Sequence, residues 1–480
     1  MVVEQTRPAY RRRWNDGVGL DVTAGVILGS LAGLWALLSS VQIAPLITDY
    51  RYLDLWFQGD SPRAFANMTN MLANPWSRDN LHPLFRVVTY PLTTAIAGLL
   101  ALSPQDAVRL VIAGVASLWA AGFYAVLRLM CLARFDALLF SLVLVSTAAF
   151  VFWGGLPETF PFGSLTLIFS MGLVAASECR RMPSGLSVVN NLMTVGFVPT
   201  SALAGLAATL FLHPLKKAMG ILALSTAALF GLWIVHKAFF PVDRASTQDI
   251  LLDQAGGPIP ILTSIVAHTL VMPEIKLLRN WNHPSETLWR MTTQFSLPGS
   301  GGILAAIALA AALGLVAIGL WSAFTTRRLV KLRWMLAVVG LGFLGAHILF
   351  GDETFLYSLQ FAPLLVLLAA FGTIGPMRPV ALALAAAFVL SASVHNVAQF
   401  QHASAFVQGH LDSKHPIQVW PGGATYVDLV YESNRAHPPA VMPPWDPKMP
   451  QERFYPINYR FRTAIGEFKR QVQAWRGGEP

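Results

Sequence analysis

Charge is what this sequence has least of. Only 12% of its 480 residues are Asp, Glu, Lys or Arg, and 54% are hydrophobic. A soluble domain carries about 25% charged residues, so a water-soluble helical bundle is excluded. Cysteine is nearly absent. Cys131 and Cys179 both sit in short loops beside basic residues, which places them on a reducing side and rules out a disulfide framework. No glycine-rich phosphate loop is present, which removes the usual mark of a nucleotide-binding protein. There are no internal repeats and no low-complexity tract. The basic start, "MVVEQTRPAYRRRWNDG", has no small-residue cleavage site behind it. The apolar stretch that follows is a full span, so it reads as a first transmembrane helix and not as a cleaved signal.

What is abundant is long apolar runs. They lie near 23–45, 83–102, 107–129, 135–154, 159–177, 186–212, 217–240, 300–323, 333–350, 354–375 and 379–398. Uncharged runs of about 20 residues span a bilayer as helices. The fold class is therefore an all-α polytopic membrane protein with about 10–12 transmembrane helices. Its net charge of +9 is scattered over short loops. That pattern reports topology and argues against a nucleic-acid partner. The basic loops are Arg11–Arg13, Arg128 with Arg134, "CRRM" (Cys179–Met182), "HPLKK" (His213–Lys217), "TTRRLVKLR" (Thr325–Arg333) and "PMR" (Pro376–Arg378), all expected in the cytoplasm.

A plain alternation of crossings puts several of these loops on the wrong side. Two irregular places repair the count. The segment 83–102 is expected to be a re-entrant or interfacial hairpin that returns to the outer side. The segment 186–212 is interrupted by "GFVPTS" (Gly196–Ser201) and reads as two short helices with an outer turn. The expected organisation is then a basic N-terminus (1–22), a transmembrane domain (23–399) and an outer tail (400–480). The domain carries a first outer loop (46–82) and a long outer loop (241–299). In the tail, Phe461, Ile465, Phe468, Val472 and Trp475 fall at helical spacing, as an amphipathic helix requires.

The outer loops collect acidic residues: Asp49, Asp54, Asp60 and Asp79, then Glu158 in "GGLPETF", then the pair Asp352–Glu353 in "GDETF". Ionisable groups at the edge of a membrane bundle are costly unless they face a water-filled cavity, so they mark functional sites. Asp60 opens "DSPRAF", where Asp followed by Ser-Pro also reads as a helix start with the carboxylate as N-cap. Twenty-two residues later His82 opens "HPLF". His347 and His395 lie near the outer ends of two spans, where a packing role competes with a ligand role. No pair of His, Asp or Glu has metal-ligand spacing, which leaves a divalent metal open only through residues distant in sequence.

An acidic residue in the first outer loop, a His-Pro start some twenty residues on, and the run "AVRLVIAGVASLWAAGFYAVLRLMCLARFDALLFSLVLVSTAAFVFWGGLPETFPFGSLTLIF" carry a resemblance. With "NNLMTVGFVPTSALAGL" and "ETFLYSLQFAPLLVLL", the chain from about 20 to 400 resembles the GT-C superfamily of lipid-sugar-dependent glycosyltransferases. It looks closest to the protein O-mannosyltransferase and aminoarabinose-transferase branch. Here Asp60 is followed by Ser61 where that family has an adjacent acidic pair, and "HPLF" stands for "HPPL".

The resemblance implies a polyprenyl-phosphate sugar as donor and an envelope glycan, lipid or protein as acceptor. It places the reaction at the outer face of a bacterial-type cytoplasmic membrane. It assigns catalysis to Asp60, His82 and Glu158, with Asp49 ("ITDYRY") as the rival position for the base. Arg63, Arg86, Lys276 and Arg279 are the cations available to the leaving phosphate, and His347 is a further substrate-binding candidate. In that family transfer commonly inverts the anomeric centre. A flippase or transporter is the competing class. Such a protein would carry mid-membrane charges and often internal repeats, whereas here the spans are nearly uncharged. A third reading is a GT-C-like scaffold that binds a lipid without catalysis.

Overall fold

The structure is a computed structural model that describes residues 17–48, 55–71, 82–240, 258–279, 289–349 and 353–412. In chain order its helices are α1 (Val18–Gln42), α2 (Ala44–Thr48), α3 (Ser61–Thr69), α4 (Pro83–Leu100), α5 (Pro104–Leu129), α6 (Arg134–Val145), α7 (Ala148–Trp153), α8 (Thr159–Ser177), α9 (Ser184–Phe197), α10 (Ala202–Leu212), α11 (Leu215–Phe239), α12 (Pro258–Thr263), α13 (Ile303–Thr325), α14 (Val330–Leu349), α15 (Ser358–Ala370) and α16 (Arg378–Asp412). A single antiparallel hairpin, β1 (Lys276–Arg279) and β2 (Trp289–Thr292), interrupts them among the described residues. Nine helical segments among these residues are long and apolar enough to cross a membrane. The chain is an all-α polytopic membrane protein.

The loops sort onto two ends. At one, Asp21 in the first turn of α1 accepts from Arg128 and Arg134, each at 3.0 Å, and from Tyr124 Oη at 2.9 Å. The Asp136 carboxylate pairs with Arg378 at 2.8 Å. The Lys331 N–H donates to Glu178 at 2.9 Å, and Ser187 meets His213 at 2.8 Å. Met182, Leu129 and Leu212 pack together and join these groups. So the basic loops at 128–136, 178–187, 213–217, 326–333 and 376–378 share one end, in the grouping the charge pattern predicts. Arg11–Arg13 lie outside the described residues.

The opposite end carries the acidic segments. Helix α5 spans about 39 Å from there to the basic end, at 1.5 Å per residue. Its start is set by Ser103, whose hydroxyl accepts from the Asp106 N–H at 3.1 Å, and by Pro104 at the first helical position. Helix α4 begins against Phe197 and Phe162, also at the acidic end, and leads into α5 through residues 101–103. Both ends of α4 are therefore on one side, and it does not cross. It is one helix and not a hairpin. Phe85, Arg86, Thr89 and Thr93 face inward while Val88, Leu92, Leu99 and Leu100 are exposed, the pattern of a helix lying on a membrane surface. Helices α9 and α10 run out and back around the Pro199–Ser201 turn, and Gly205 fits against Asn191 and Thr194.

Two features differ from the sequence expectation. The region read as an outer loop, 241–299, does not stay outside where it is described. Helix α12, a π-helical turn (Ser264–His268) and the extended residues after it enter the bundle. Ile261, Ile265, Leu270, Met272 and Ile275 all belong to the main core. Irregular backbone is tolerated at membrane depth only where its polar groups are satisfied by protein, and here they are. The first N–H groups of α7, on Ala148 and Ala149, donate to Leu270 O and Thr269 O, both at 3.0 Å. Asn396 accepts from the Met272 N–H at 2.9 Å and donates to Ser146 O at 2.8 Å and Leu270 O at 3.1 Å. His395 Nε2 donates to Met272 O at 2.7 Å. Asn396 lies about 27 Å along α16 from Arg378, so this buried clasp stands toward the acidic end of the bundle.

The second difference is the expected domain boundary at 399. It falls inside α16, which continues to Asp412, because Phe400, Ala403, Phe406 and Val407 keep facing the core. The amphipathic stretch 461–475 lies outside the described residues.

Candidate active site

The acidic end is organised by a sharp turn. Phe57 and Gln58 both have positive φ, 48° and 61°, and the Gly59 N–H donates to Trp56 O at 2.8 Å. Two successive non-glycine residues in the left-handed region are unfavourable. Their side chains compensate by anchoring. Phe57 packs edge-on against Phe355, Phe152 and Trp153, with centroids 5.0, 5.7 and 6.3 Å away. Trp56 donates its indole N–H to Phe152 O at 3.3 Å. Leu55 O accepts from the Met291 N–H of β2 at 2.8 Å, which ties the hairpin to this turn.

The turn delivers Asp60 to the N-cap position of α3, with Pro62 in the first helical turn. The carboxylate is not used as a cap. It accepts instead from Arg63 Nη1 at 2.9 Å, and it keeps 31% of its side-chain surface exposed. Glu158 lies beneath it, 2% exposed. Its Oε1 accepts from Ser61 Oγ at 3.2 Å, and the Asp60 backbone N–H also points at it. Burial first, then the neighbouring Asp60 charge, push the Glu158 carboxyl up to about 8. Gly59 is where the chain approaches most closely: a Cβ there would sit 3.1 Å from the Trp153 ring and 3.2 Å from Glu158 Oε1. Two carboxyls far apart in sequence thus share one site. One is open to solvent and ion-paired; the other is dry, and its burial favours the protonated form.

His82 occupies the N-cap position of α4, and its Nδ1–H donates to Phe197 O at 2.6 Å. It is joined to the site through rings. Phe197 stacks on Phe162 at 5.2 Å, and Phe162, four residues along from Glu158, meets Phe85 at 5.3 Å. Arg86 is 1% exposed. Its Nη2 donates to Asn70 O at 2.8 Å and Met71 O at 2.7 Å, at the C-terminus of α3. Its guanidinium also lies 4.7 Å over the Phe240 ring. The structure therefore places Arg86 at the C-terminal end of α3.

Lys276 and Arg279 are on β1, opposite Thr292 and Trp289. Partial burial draws the Lys276 amine below its usual range. His347 is buried, its ring 4.2 Å from Tyr357 and 5.4 Å from Phe361. Asp49, Asp54, Asp79 and Asp352 lie outside the described residues.

Glu353 is the group that sequence reasoning saw only as half of an acidic pair. It is 2% exposed and bound to the hairpin. Thr292 Oγ1 and Thr293 Oγ1 donate to it, the latter at 3.1 Å, and the Thr293 N–H adds a longer contact at 3.4 Å. Burial pushes it up to about 7, against the opposing pull of the Thr292 bond and the Arg290 charge. Trp153 separates the two buried carboxyls: its ring lies under Gly59, and its N–H donates to Phe355 O at 3.1 Å. Among the described residues no three His, Cys, Asp or Glu side chains come together to hold a metal. No protein-family model matches the chain, and no curated protein matches it.

Proposed function

We propose that this protein is a membrane glycosyltransferase that moves a sugar from a polyprenyl-phosphate donor to a cell-envelope acceptor. The observation that carries the reading is the arrangement at Asp60. A solvent-accessible carboxylate is held at the lip of an apolar bundle by a helix start, by Arg63 and by a buried carboxyl beneath it. By the excess of basic residues at the other end, this end faces out of the cytoplasm of a bacterial-type inner membrane.

In this reading Asp60 accepts the proton of the acceptor hydroxyl or amine as that atom forms its bond to the anomeric carbon. The bond from that carbon to the phosphate oxygen breaks, and the phosphate leaves with the electron pair. Arg63, beside Asp60, and Lys276, on the hairpin tied to Leu55, are the cations this reading offers to the leaving phosphate. Glu158, whose burial disfavours the anion, does not compete as base. It holds Ser61 and the Asp60 backbone, and its role is positioning. The test is transfer of labelled sugar from a polyprenyl-phosphate donor in liposomes. Loss of transfer in Asp60→Asn with normal assembly supports the reading. Undiminished transfer removes Asp60 as base, and no transfer by the intact protein with any such donor removes the function.

A further inference from the structure

Helix α3 carries Asp60 at its start and has only nine residues. An isolated helix shorter than about 12–15 residues is marginal in water, so its position depends on what holds it. Its buried face, Ala64 and Met68, packs with Phe85, Val108, Val111 and Phe162. Apolar packing of that kind is tolerant of sliding. The polar contacts are not. At the N-terminus, where helix N–H groups are unpaired, stands the Glu158 carboxyl. At the C-terminus, where carbonyls are unpaired and the helix dipole is negative, stands the Arg86 guanidinium on Asn70 O and Met71 O. A buried cation is tolerable only when its surroundings satisfy it. Here the two carbonyls and the Phe240 face are part of that setting.

Arg86 projects from the inward face of α4, whose other face exposes Leu92, Leu99 and Leu100. It therefore connects a membrane-surface helix to the helix that presents Asp60. We propose that Arg86 is a positioning residue: it pins the C-terminal end of α3 and so fixes where the Asp60 carboxylate stands. The claim about α3 rests on geometry alone, and the claim about catalysis rests on the proposed transfer reaction. The rival assignment, a direct ligand of the donor phosphate, makes different predictions.

The experiment compares Arg86→Met, Arg86→Gln and Arg86→Lys in nanodiscs. The first readout needs no activity: amide hydrogen exchange of residues 61–70. Arg86→Met and, less strongly, Arg86→Gln should speed exchange there at least about tenfold while α5 and α8 stay unchanged; Arg86→Lys, which keeps a cation at the carbonyls, should restore most of the protection. The second readout is steady-state transfer. A displaced carboxylate lowers kcat by roughly 10- to 100-fold with the donor KM unchanged, and Arg86→Lys recovers part of it. Unaltered exchange of 61–70 in whichever neutral variant folds overturns the pin. A raised donor KM with unchanged kcat overturns it in favour of a phosphate ligand. If the wild type transfers no sugar, the exchange readout still decides Arg86, and the transfer reading falls separately.

Discussion

Replacing Glu158 by Gln tests whether this carboxyl holds the site in its protonated form. Its pKa stands near 8 in the folded protein against an ordinary value of 4.5. Below about pH 4.5 both folded and unfolded chains carry the proton, and stability does not depend on this group. Between about 4.5 and 8 the folded state keeps a proton that the unfolded state has released. Stability therefore falls as pH rises, by about 1.4 kcal/mol per unit for one proton. The total over that window is on the order of 5 kcal/mol. Glu353, raised to about 7, acts in the same direction over a shorter range.

Relative to Glu158→Gln, wild type should thus lose stability as pH rises from about 5 to 8, with a slope near one proton. Gln imitates the protonated acid and keeps a carbonyl oxygen for Ser61 Oγ and the Asp60 N–H. Every other titrating group is common to the two proteins, so the difference between their pH curves isolates Glu158. Its transfer activity at pH 7 should stay within a few-fold of wild type, while Glu158→Leu loses most of it. The assay is denaturant unfolding in mixed micelles at constant ionic strength from pH 5 to 8.5. Parallel pH curves for wild type and Glu158→Gln would refute the buried proton and, with it, the positioning role.

Two further predictions concern the frame. A cysteine at Ala101, in the turn between α4 and α5, should react with an impermeant maleimide in intact cells, while Arg181→Cys, Cys131 and Cys179 should not; an unreactive position 101 would mean that α4 crosses the membrane. Asn396→Leu strands the Met272 N–H and Ser146 O inside the bundle. At about 1–3 kcal/mol for each unmet group it should destabilise the protein by roughly 2–6 kcal/mol in the same unfolding assay, and a loss under about 1 kcal/mol would show that the clasp is dispensable.

Much of the frame was legible because each span is a long apolar run and each basic loop marks a side. The surface position of α4 and the α9–α10 hairpin followed from requiring the basic loops to agree. The interior course of 258–275 was not legible. Its apolar stretch is too short for a span, and Pro258, Pro260 and Pro273 give it the look of a loop. Its partners Asn396 and His395 lie more than a hundred residues away. The end of α16 could have been found: Phe400, Ala403, Phe406 and Val407 continue a helical stripe past the predicted boundary.

Asp60 and Glu158 were singled out separately by the cost of charge near a membrane. That one is open and the other dry depends on the Phe57–Gly59 turn, which no local pattern announces. Arg86 read as a cation available to the leaving phosphate, since nothing nearby shows that α3 ends against it. Glu353 was noticed beside Asp352, but its threonine partners come from a hairpin with no strong strand signal.

The measurement closest to the central claim is sugar transfer by Asp60→Asn in liposomes carrying a labelled polyprenyl-phosphate sugar, with Asp49→Asn alongside. Asn keeps the shape and an oxygen for Arg63 but cannot take the acceptor proton. The account predicts a loss of roughly 10²-fold or more in Asp60→Asn, with normal assembly and donor binding and a much milder effect in Asp49→Asn. An active Asp60→Asn protein beside an inactive Asp49→Asn one would move the base to Asp49, and two active variants would contradict a carboxylate base in this loop.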